Sequence, residues 1–300
     1  MISKNIFKGF GVAIVTPFQT DGTPDYEALG KLVNEQIEGG ADFLCVLGTT
    51  AETPCLTAEE KRNIVSIAHQ ANAGRVPLLL GAGGNCTANV IDGLRDIERE
   101  GLVDGVLIVC PYYNKPTAEG LYRHFKAVAD STKLPVVLYN VPGRTGVNLT
   151  PATALRIAKD CPNVVAVKEA SGNVAQAEEI IKNAPEGFEV LCGDDGIAAD
   201  LLERGATGVI SVVGNALPAL FAQLTHAALQ GDRDTAHALQ SELAEMCRLM
   251  MAEGNPGGIK ALLALQGKAE NVLRLPLVPV SQETKEKIKQ ELERIEKDFQ

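Results

Sequence analysis

The stretch NVVAVKEASG, residues 163–172, runs four apolar residues into a lysine, an acid and a Ser-Gly turn. Residues 164–167 are mostly β-branched and bounded by turn formers. They read as a short strand covered on both faces. An ammonium group at the exit of such a strand loses the water that stabilises its charge. By itself the polar end also fits a strand that simply surfaces. The chain on either side decides.

Upstream, PVVLYNVP (135–142) is another apolar strand, followed by a helix-like segment from about Thr150 to Lys159. Downstream, NVAQAEEIIKNA is helical and EVLCGDD (189–195) is again a strand, followed by GIAADLLERG. The beat extends both ways. Toward the N-terminus come the strands GVAIVTPF (11–18), FLCVLG (43–48), VPLLLGAG (76–83) and GVLIVCPYY (105–113). Their helices run from Asp25 to Gly39, from Thr57 to Gly74, from Thr87, and from Thr117 to about Ser131. Thr57 with Glu60 three residues on forms a capping-box pattern. Toward the C-terminus, GVISVVGN (208–215) precedes the helical PALFAQLTHAALQG.

Eight strand–helix units with doubly covered strands predict a parallel sheet closed into a (β/α)8 TIM barrel. An open doubly wound sheet is the alternative. It expects a glycine-rich turn after the first strand, and VTPFQTDGTP is not one. After Gly231 the beat stops. Residues 1–231 are read as the catalytic barrel, and residues 232–300 as a C-terminal helical region packed on the barrel or on another subunit. Its last, highly charged helix is expected to be a solvated cap.

The chain has 300 residues and a net charge of -10, which argues against a nucleic-acid binder. Seven cysteines without a C-x-x-C pair fit buried small hydrophobes in a reducing compartment, Cys45, Cys110 and Cys192 among them. His69, His124, His226 and His237 fall in helix-like segments, so neither histidine catalysis nor a zinc site is expected. The N-terminal MISKNIFKGFGVAIVTPF resembles neither a signal peptide nor a membrane span. The expectation is a soluble, cytoplasmic protein without a membrane partner.

In such a barrel the active site gathers at the C-terminal ends of the strands. Those points carry Thr16, Gly48-Thr49-Thr50, Tyr112-Tyr113-Asn114, Tyr139-Asn140 with Arg144 beyond, Lys168-Glu169, Gly193-Asp194-Asp195, and Ser211 or Asn215. Three of the five tyrosines of the chain stand there. A lysine, phenols and hydroxyls suit imine chemistry. Desolvation lowers an amine's pKa, the neutral amine attacks a ketone, and the protonated imine is an electron sink. Alternation puts Val164, Ala166 and Lys168 on one face of the strand, and Val165, Val167 and Glu169 on the other. If Lys168 points inward, Glu169 meets the helix layer. Tyr139 is within reach as proton carrier, hydroxyls of the GTT turn suit a carboxylate, and Arg144 suits a second one.

GTTAET (48–53), PYYNKP (111–116), YNVPGRTG (139–146), KEASG (168–172) and GDD (193–195) together resemble the dihydrodipicolinate synthase family, also called the 4-hydroxy-tetrahydrodipicolinate synthase family, over nearly the whole chain. The resemblance implies a (β/α)8 lyase, usually a homotetramer built as a dimer of dimers. It implies condensation of pyruvate with aspartate-4-semialdehyde on the route to diaminopimelate and lysine, with no cofactor beyond the covalent imine. It assigns the imine to Lys168 and the central proton shuttle to Tyr139. Thr49 would link Tyr139 to Tyr113, the latter reaching in from a neighbouring subunit. Thr50 would bind the pyruvate carboxylate and Arg144 the aldehyde's, with the backbone at Gly193 and Ile210 lining the site. Two departures stand out. Ala51 replaces the family's usual glycine. Asn85 and Tyr112 fit the lysine effector site of some members, but Ala58 and Lys61 replace its histidines and Asn89 its glutamate, which implies weak or absent inhibition by lysine.

Three alternatives compete. N-acetylneuraminate lyase and 2-keto-3-deoxy sugar-acid aldolases share the lysine, tyrosine and GTT-like turn, though Arg144 and the tyrosine pair favour the synthase. A non-catalytic barrel is opposed by Lys168, Tyr139 and Thr49 occurring together. A phosphate-binding barrel is opposed by the acidic GDDG. Asp194-Asp195 as a metal site lacks further ligands.

Overall fold

The computed structural model describes residues 6–299; the first five residues of the N-terminal stretch read above, and Gln300, lie outside that range. Eight strands run β1 (Gly9–Ala13), β2 (Phe43–Val46), β3 (Leu78–Gly81), β4 (Gly105–Val109), β5 (Val136–Asn140), β6 (Val164–Glu169), β7 (Glu189–Cys192) and β8 (Gly208–Ser211). They pair in parallel in that order, and β8 returns to β1, closing the barrel. The open sheet is thereby excluded.

The helices between them are α1 (Tyr26–Glu38), α2 (Ala58–Asn72), α3 (Thr87–Glu100), α4 (Ala118–Asp130), the single turn α5 (Pro142–Thr145), α6 (Pro151–Asp160), α7 (Val174–Asn183), α8 (Ala198–Glu203) and α9 (Pro218–Leu229). Their ends follow local chemistry. Asp25, Thr117 and Thr150 accept N–H groups of the first turns, and Thr57 and Glu60 form the expected reciprocal capping box.

Two layers of apolar side chains hold the barrel. Inside, Phe7, Phe43, Leu79, Leu107, Val137 and Leu191 fill the bore below the rim. Phe7 and Phe43 meet edge to face at 5.7 Å. A side chain at Gly11 would lie 2.2 Å from the Phe43 ring, so glycine there makes room for the plug. Outside, the β4–β6 face packs through Val106, Ile108 and Leu138 on Leu121, Phe125 and Ile157. Each such buried side chain is worth about 1.5–3 kcal/mol.

The C-terminal helices α10 (Arg233–Met251), α11 (Gly257–Leu265) and α12 (Gln282–Asp298) pack on this barrel. Leu243, Met246, Ile259 and Leu262 share one cluster with Phe10, Val12 and Val209 of the barrel wall. The charged α12 buries the stripe Ile288, Leu292 and Ile295.

The strand 164–169 departs from simple alternation. Val136 pairs with Val164 but Val137 pairs with Ala166, which leaves Val165 as an extra residue, a bulge. Val165 and Ala166 therefore both face the bore, while Val164 and Val167 face the helices. The expectation that Val164 shares the inner face, and Val165 the outer one, is corrected. Beyond the bulge the alternation resumes, so Lys168 turns inward and Glu169 outward as expected.

Cys45, Cys110 and Cys192 are buried free thiols, as expected. Burial pushes Cys45 up to about 11, which keeps it a protonated hydrophobe. The four histidines all lie in helices; His124 is buried against Thr87 and Phe125. Among the described residues no helix is long and apolar enough to cross a membrane.

Candidate active site

Lys168 is 6% exposed at the exit of β6. It pairs in register with Tyr139 of β5, and its Nζ lies 4.6 Å from the centre of the Tyr139 ring. On its other side Gly193 follows the last residue of β7. A Cβ there would stand 2.9 Å from Lys168 Cε and 2.7 Å from Ala170 Cβ, so only glycine lets the lysine stem pass. Below lie Ala166, Leu191 and Ile210, all buried. The amine thus sits in an apolar well with one phenol beside it.

Glu169 is spent structurally. Its carboxylate accepts from Asn140 Nδ2 (3.0 Å), Gln176 Nε2 (2.9 Å) and the Ser171 N–H (2.8 Å). That network ties β5, β6 and α7 together behind the lysine.

Across the mouth, residues 48–53 leave β2 as two 3-10 turns, Thr49–Ala51 and Thr53–Cys55. Leu47 and Glu52 flank the first turn with φ of 54° and 55°. Tyr113 and Lys115, at 76° and 48°, carry the same strain in PYYNKP. Non-glycine residues held this way cluster where function fixes a backbone. Thr16 Oγ1 donates to Ala51 O (2.9 Å) and Thr53 Oγ1 to Leu47 O (2.8 Å), which pins the turn at both ends. Thr49 Oγ1 then lies 3.4 Å from the Tyr139 hydroxyl. A cavity of about 380 Å³ is walled by Gly48, Thr49, Tyr112, Tyr139 and Arg144, with Lys61 at its edge.

Of the eight site residues expected from sequence, Lys168, Tyr139, Thr49, Gly193 and Ile210 come together at the barrel mouth. Thr50 is buried beside them in the same turn. Arg144 stands on α5 at the cavity wall; Lys168 does not line that cavity, though the Tyr139 ring beside it does. Tyr113 is 89% exposed, and among the described residues the hydroxyl partner of Thr49 is Tyr139, not Tyr113. The effector-site positions Ala58, Asn85 and Asn89 are exposed on the rim of α2 and α3.

Sequence reasoning missed the supports. Glu52 forms a buried ion pair with Lys260 of α11 and accepts from the Arg274 N–H (2.9 Å). Lys260 also donates to Val272 O (2.9 Å) and lies 3.9 Å from the Phe18 ring centre; burial holds it down to about 8. A lone lysine in the apolar GGIKALLAL was the available signal. Asn255, in what reads as a linker, donates from Nδ2 to Thr50 Oγ1 (2.9 Å), and its backbone oxygen accepts from Arg144 Nη2 (3.2 Å).

Asp195 is likewise a support. Its Oδ2 accepts from the N–H groups of Val212 (2.9 Å) and Val213 (2.8 Å), fixing the exit of β8 beyond Ile210. Burial pushes its carboxyl up to about 6, against the pull of those N–H groups. An unfolded aspartate titrates near about 3.9. Between those values the folded chain holds a proton that the unfolded chain has lost, so stability falls as pH rises through that window. At pH 7 the ionised group withholds about 3 kcal/mol. Asp195→Asn keeps an acceptor oxygen and removes the charge. It is expected to unfold at higher urea than the parent at pH 7, by about 1–3 kcal/mol, with the gain shrinking at pH 4.5. An equal difference at both pH values counts against the buried proton.

Comparison with known proteins gives this geometry its kin. The profile of the Dihydrodipicolinate synthetase family matches residues 6–295. The chain belongs to that family. It is 54% identical over 288 residues to a 4-hydroxy-tetrahydrodipicolinate synthase of Parabacteroides distasonis, spanning 96% of this chain and 97% of the relative. Dihydrodipicolinate synthase of Thermotoga maritima superposes with a TM-score of 0.94 at 41% identity, over 97% of this chain and 99% of that one. The Acinetobacter baumannii enzyme, solved in complex with pyruvate, superposes at 0.93 with 38% identity, over 96% and 98% of the two chains. The dihydrodipicolinate synthetase family is a family of enzymes, so the reading as a non-catalytic barrel drops out.

Proposed function

We propose that this chain condenses pyruvate with aspartate-4-semialdehyde through an imine on Lys168, as a 4-hydroxy-tetrahydrodipicolinate synthase of lysine and diaminopimelate biosynthesis. One observation carries the reading: Lys168, among the described residues the one lysine in the bore, faces Tyr139 across one strand pair, with Thr49 at the phenol. The pyruvate complex of the Acinetobacter baumannii relative supports the first substrate.

Lys168 Nζ attacks the keto carbon of pyruvate, and loss of water leaves a protonated imine. The imine draws electrons from the methyl carbon, which gives up a proton and becomes a nucleophilic enamine. That carbon attacks the aldehyde carbon, the new C–C bond forms, and the aldehyde oxygen takes a proton. Tyr139 is the group placed to carry these protons, and Thr49 holds its hydroxyl. The semialdehyde's own amino group then attacks the imine carbon and closes a ring; it gives up a proton, the lysine nitrogen takes one, and the bond from that carbon to Lys168 Nζ breaks, which frees the lysine. No metal or organic cofactor enters these steps. Thr50 binds the pyruvate carboxylate, and the backbone at Gly193 and Ile210 lines the well. In the homotetramer, a dimer of dimers in the cytoplasm, a second copy buries the exposed Tyr113 and brings its hydroxyl to Thr49.

Arg144 holds the aldehyde's carboxylate. Among the described residues only one of its donors is taken, by Asn255 O. Arg144→Ala is expected to raise the KM for aspartate-4-semialdehyde about 10–100-fold, the worth of a charge-assisted pair. Borohydride trapping of pyruvate stays unchanged. The assay follows pyruvate consumption with the semialdehyde, beside pyruvate release from sialic and 2-keto-3-deoxy sugar acids. Faster release than consumption would overturn the assignment.

A further inference from the structure

We infer that Asn255 fixes the direction in which the Thr50 hydroxyl donates, and is thereby a positioning residue for the pyruvate carboxylate; the inference rests on the reading of Thr50 given above. A hydroxyl has one proton and two lone pairs. The nearby hydroxyls all have protein partners: Thr16 donates to Ala51 O, Thr53 to Leu47 O and Gly48 O, and Thr49 is paired with the Tyr139 hydroxyl. Thr50 differs. Its Oγ1 accepts from Asn255 Nδ2 at 2.9 Å, and among the described residues it has no protein acceptor for its own proton. With one lone pair filled by the amide, that proton is left for an incoming group. A carboxylate, which only accepts, is the matching ligand.

The arrangement is built in. Thr50 and Asn255 are 2% and 7% exposed, so water does not compete freely for their contact. The backbone around Asn255 is held from the other side by Arg144 Nη2. Asn255 Oδ1 is buried without a partner. A residue that leaves one amide atom unpaired while committing the other to a single hydroxyl is held for that contact, since an unpaired buried acceptor is unfavourable. Turning the amide over would set Oδ1 against Thr50 and draw the hydroxyl proton away from the well. One segment between α10 and α11 therefore meets both groups assigned to substrate carboxylates, but by different atoms. The side chain acts on Thr50 and the main chain on Arg144. Side-chain variants should accordingly affect one substrate and spare the other.

The test is steady-state kinetics of the full-length protein with Asn255→Leu, Asn255→Asp, Thr50→Val and Asn255→Leu/Thr50→Val, with thermal midpoints measured alongside. Asn255→Leu is expected to raise the pyruvate KM about tenfold, the typical effect of one hydrogen bond, with the semialdehyde KM within twofold of the parent. Asn255→Asp is isosteric, takes the Thr50 proton as an acceptor and adds a negative charge. It is expected to raise the pyruvate KM about 100-fold or more, and it carries the test if the leucine variant does not fold. The double variant is expected to be no worse than Thr50→Val alone, because both changes break one chain of contacts. If Thr50→Val raises the pyruvate KM but neither Asn255 variant does, the inference fails and the reading of Thr50 stands. If Thr50→Val leaves the pyruvate KM unchanged, that reading fails and takes the inference with it. Additive losses in the double variant, or a matched fall in kcat and both affinities with a lowered thermal midpoint, make Asn255 a structural residue only.

Discussion

Lys168→Ala is expected to abolish condensation, with a fall of roughly 10⁴–10⁶ in turnover, the scale seen when a covalent nucleophile is removed. The reason is that nothing near it can replace it. Within the bore the neighbours are Tyr139, Ala166, Leu191 and Ile210, and none is an amine. Lys260, the other buried lysine among the described residues, is held by Glu52 and Val272 O. The direct readout is covalent. With pyruvate and borohydride, the parent's Lys168 should carry a reduced pyruvate, which also blocks tryptic cleavage at that residue. The peptide 160–182 then appears intact and heavier. In the variant no adduct forms, while circular dichroism remains that of the parent, because Ala166 and Gly193 already show that small residues are accommodated in this layer. Lys168→Arg supplies a second control: it retains a cation but cannot form the imine, and should be as inactive as the alanine variant. Turnover above a few per cent of the parent in either variant removes Lys168 from its assigned place.

The beat of strands and helices was legible because each unit is local: a short apolar run, a cap, an amphipathic helix. Strand ends were read too long. Cys110–Tyr113 and Val141–Pro142 continue the apolar composition but leave the ladder to form the rim. The bulge at Val165 carried no mark, because Val-Val-Ala-Val is apolar at every position and both faces of a barrel strand are buried. Alternation can orient a strand only where one face is polar, as it is from Lys168 onward. The site itself was legible because the barrel rule confines chemistry to eight points. Asn255 and Lys260 were not, because their partners lie 205 and 208 residues away. A linker-like GNPGG and an apolar helix show nothing of what they touch.

Tyr139→Phe isolates a single hydroxyl. The ring that covers Lys168 remains, as does its packing on Val137 and Val141, so stability should change by little. What is lost is the O–H of the ring that lies 4.6 Å from the amine, an O–H also linked, at 3.4 Å, to Thr49. Three steps of the proposed reaction move a proton beside that position: loss of water from the first adduct, loss of a proton from the methyl carbon, and capture of a proton by the new alkoxide. A phenyl ring serves none of them. Turnover should therefore fall by about 10²–10⁴, typical for an acid–base group, with the pyruvate KM changed by less than about threefold. The effect should also be visible before any aldehyde is added. Adduct formation on Lys168, quenched with borohydride at increasing times, should slow in Tyr139→Phe yet reach the same final extent, since the hydroxyl lowers barriers and the lysine alone sets the equilibrium. Thr49→Val, which leaves the phenol but frees it to rotate, should fall between the two. Adduct formation at the parent's rate combined with slow turnover would confine Tyr139 to the later steps. Unchanged turnover would mean that the protons travel by water, and the phenol at the mouth would then serve only to cover the amine.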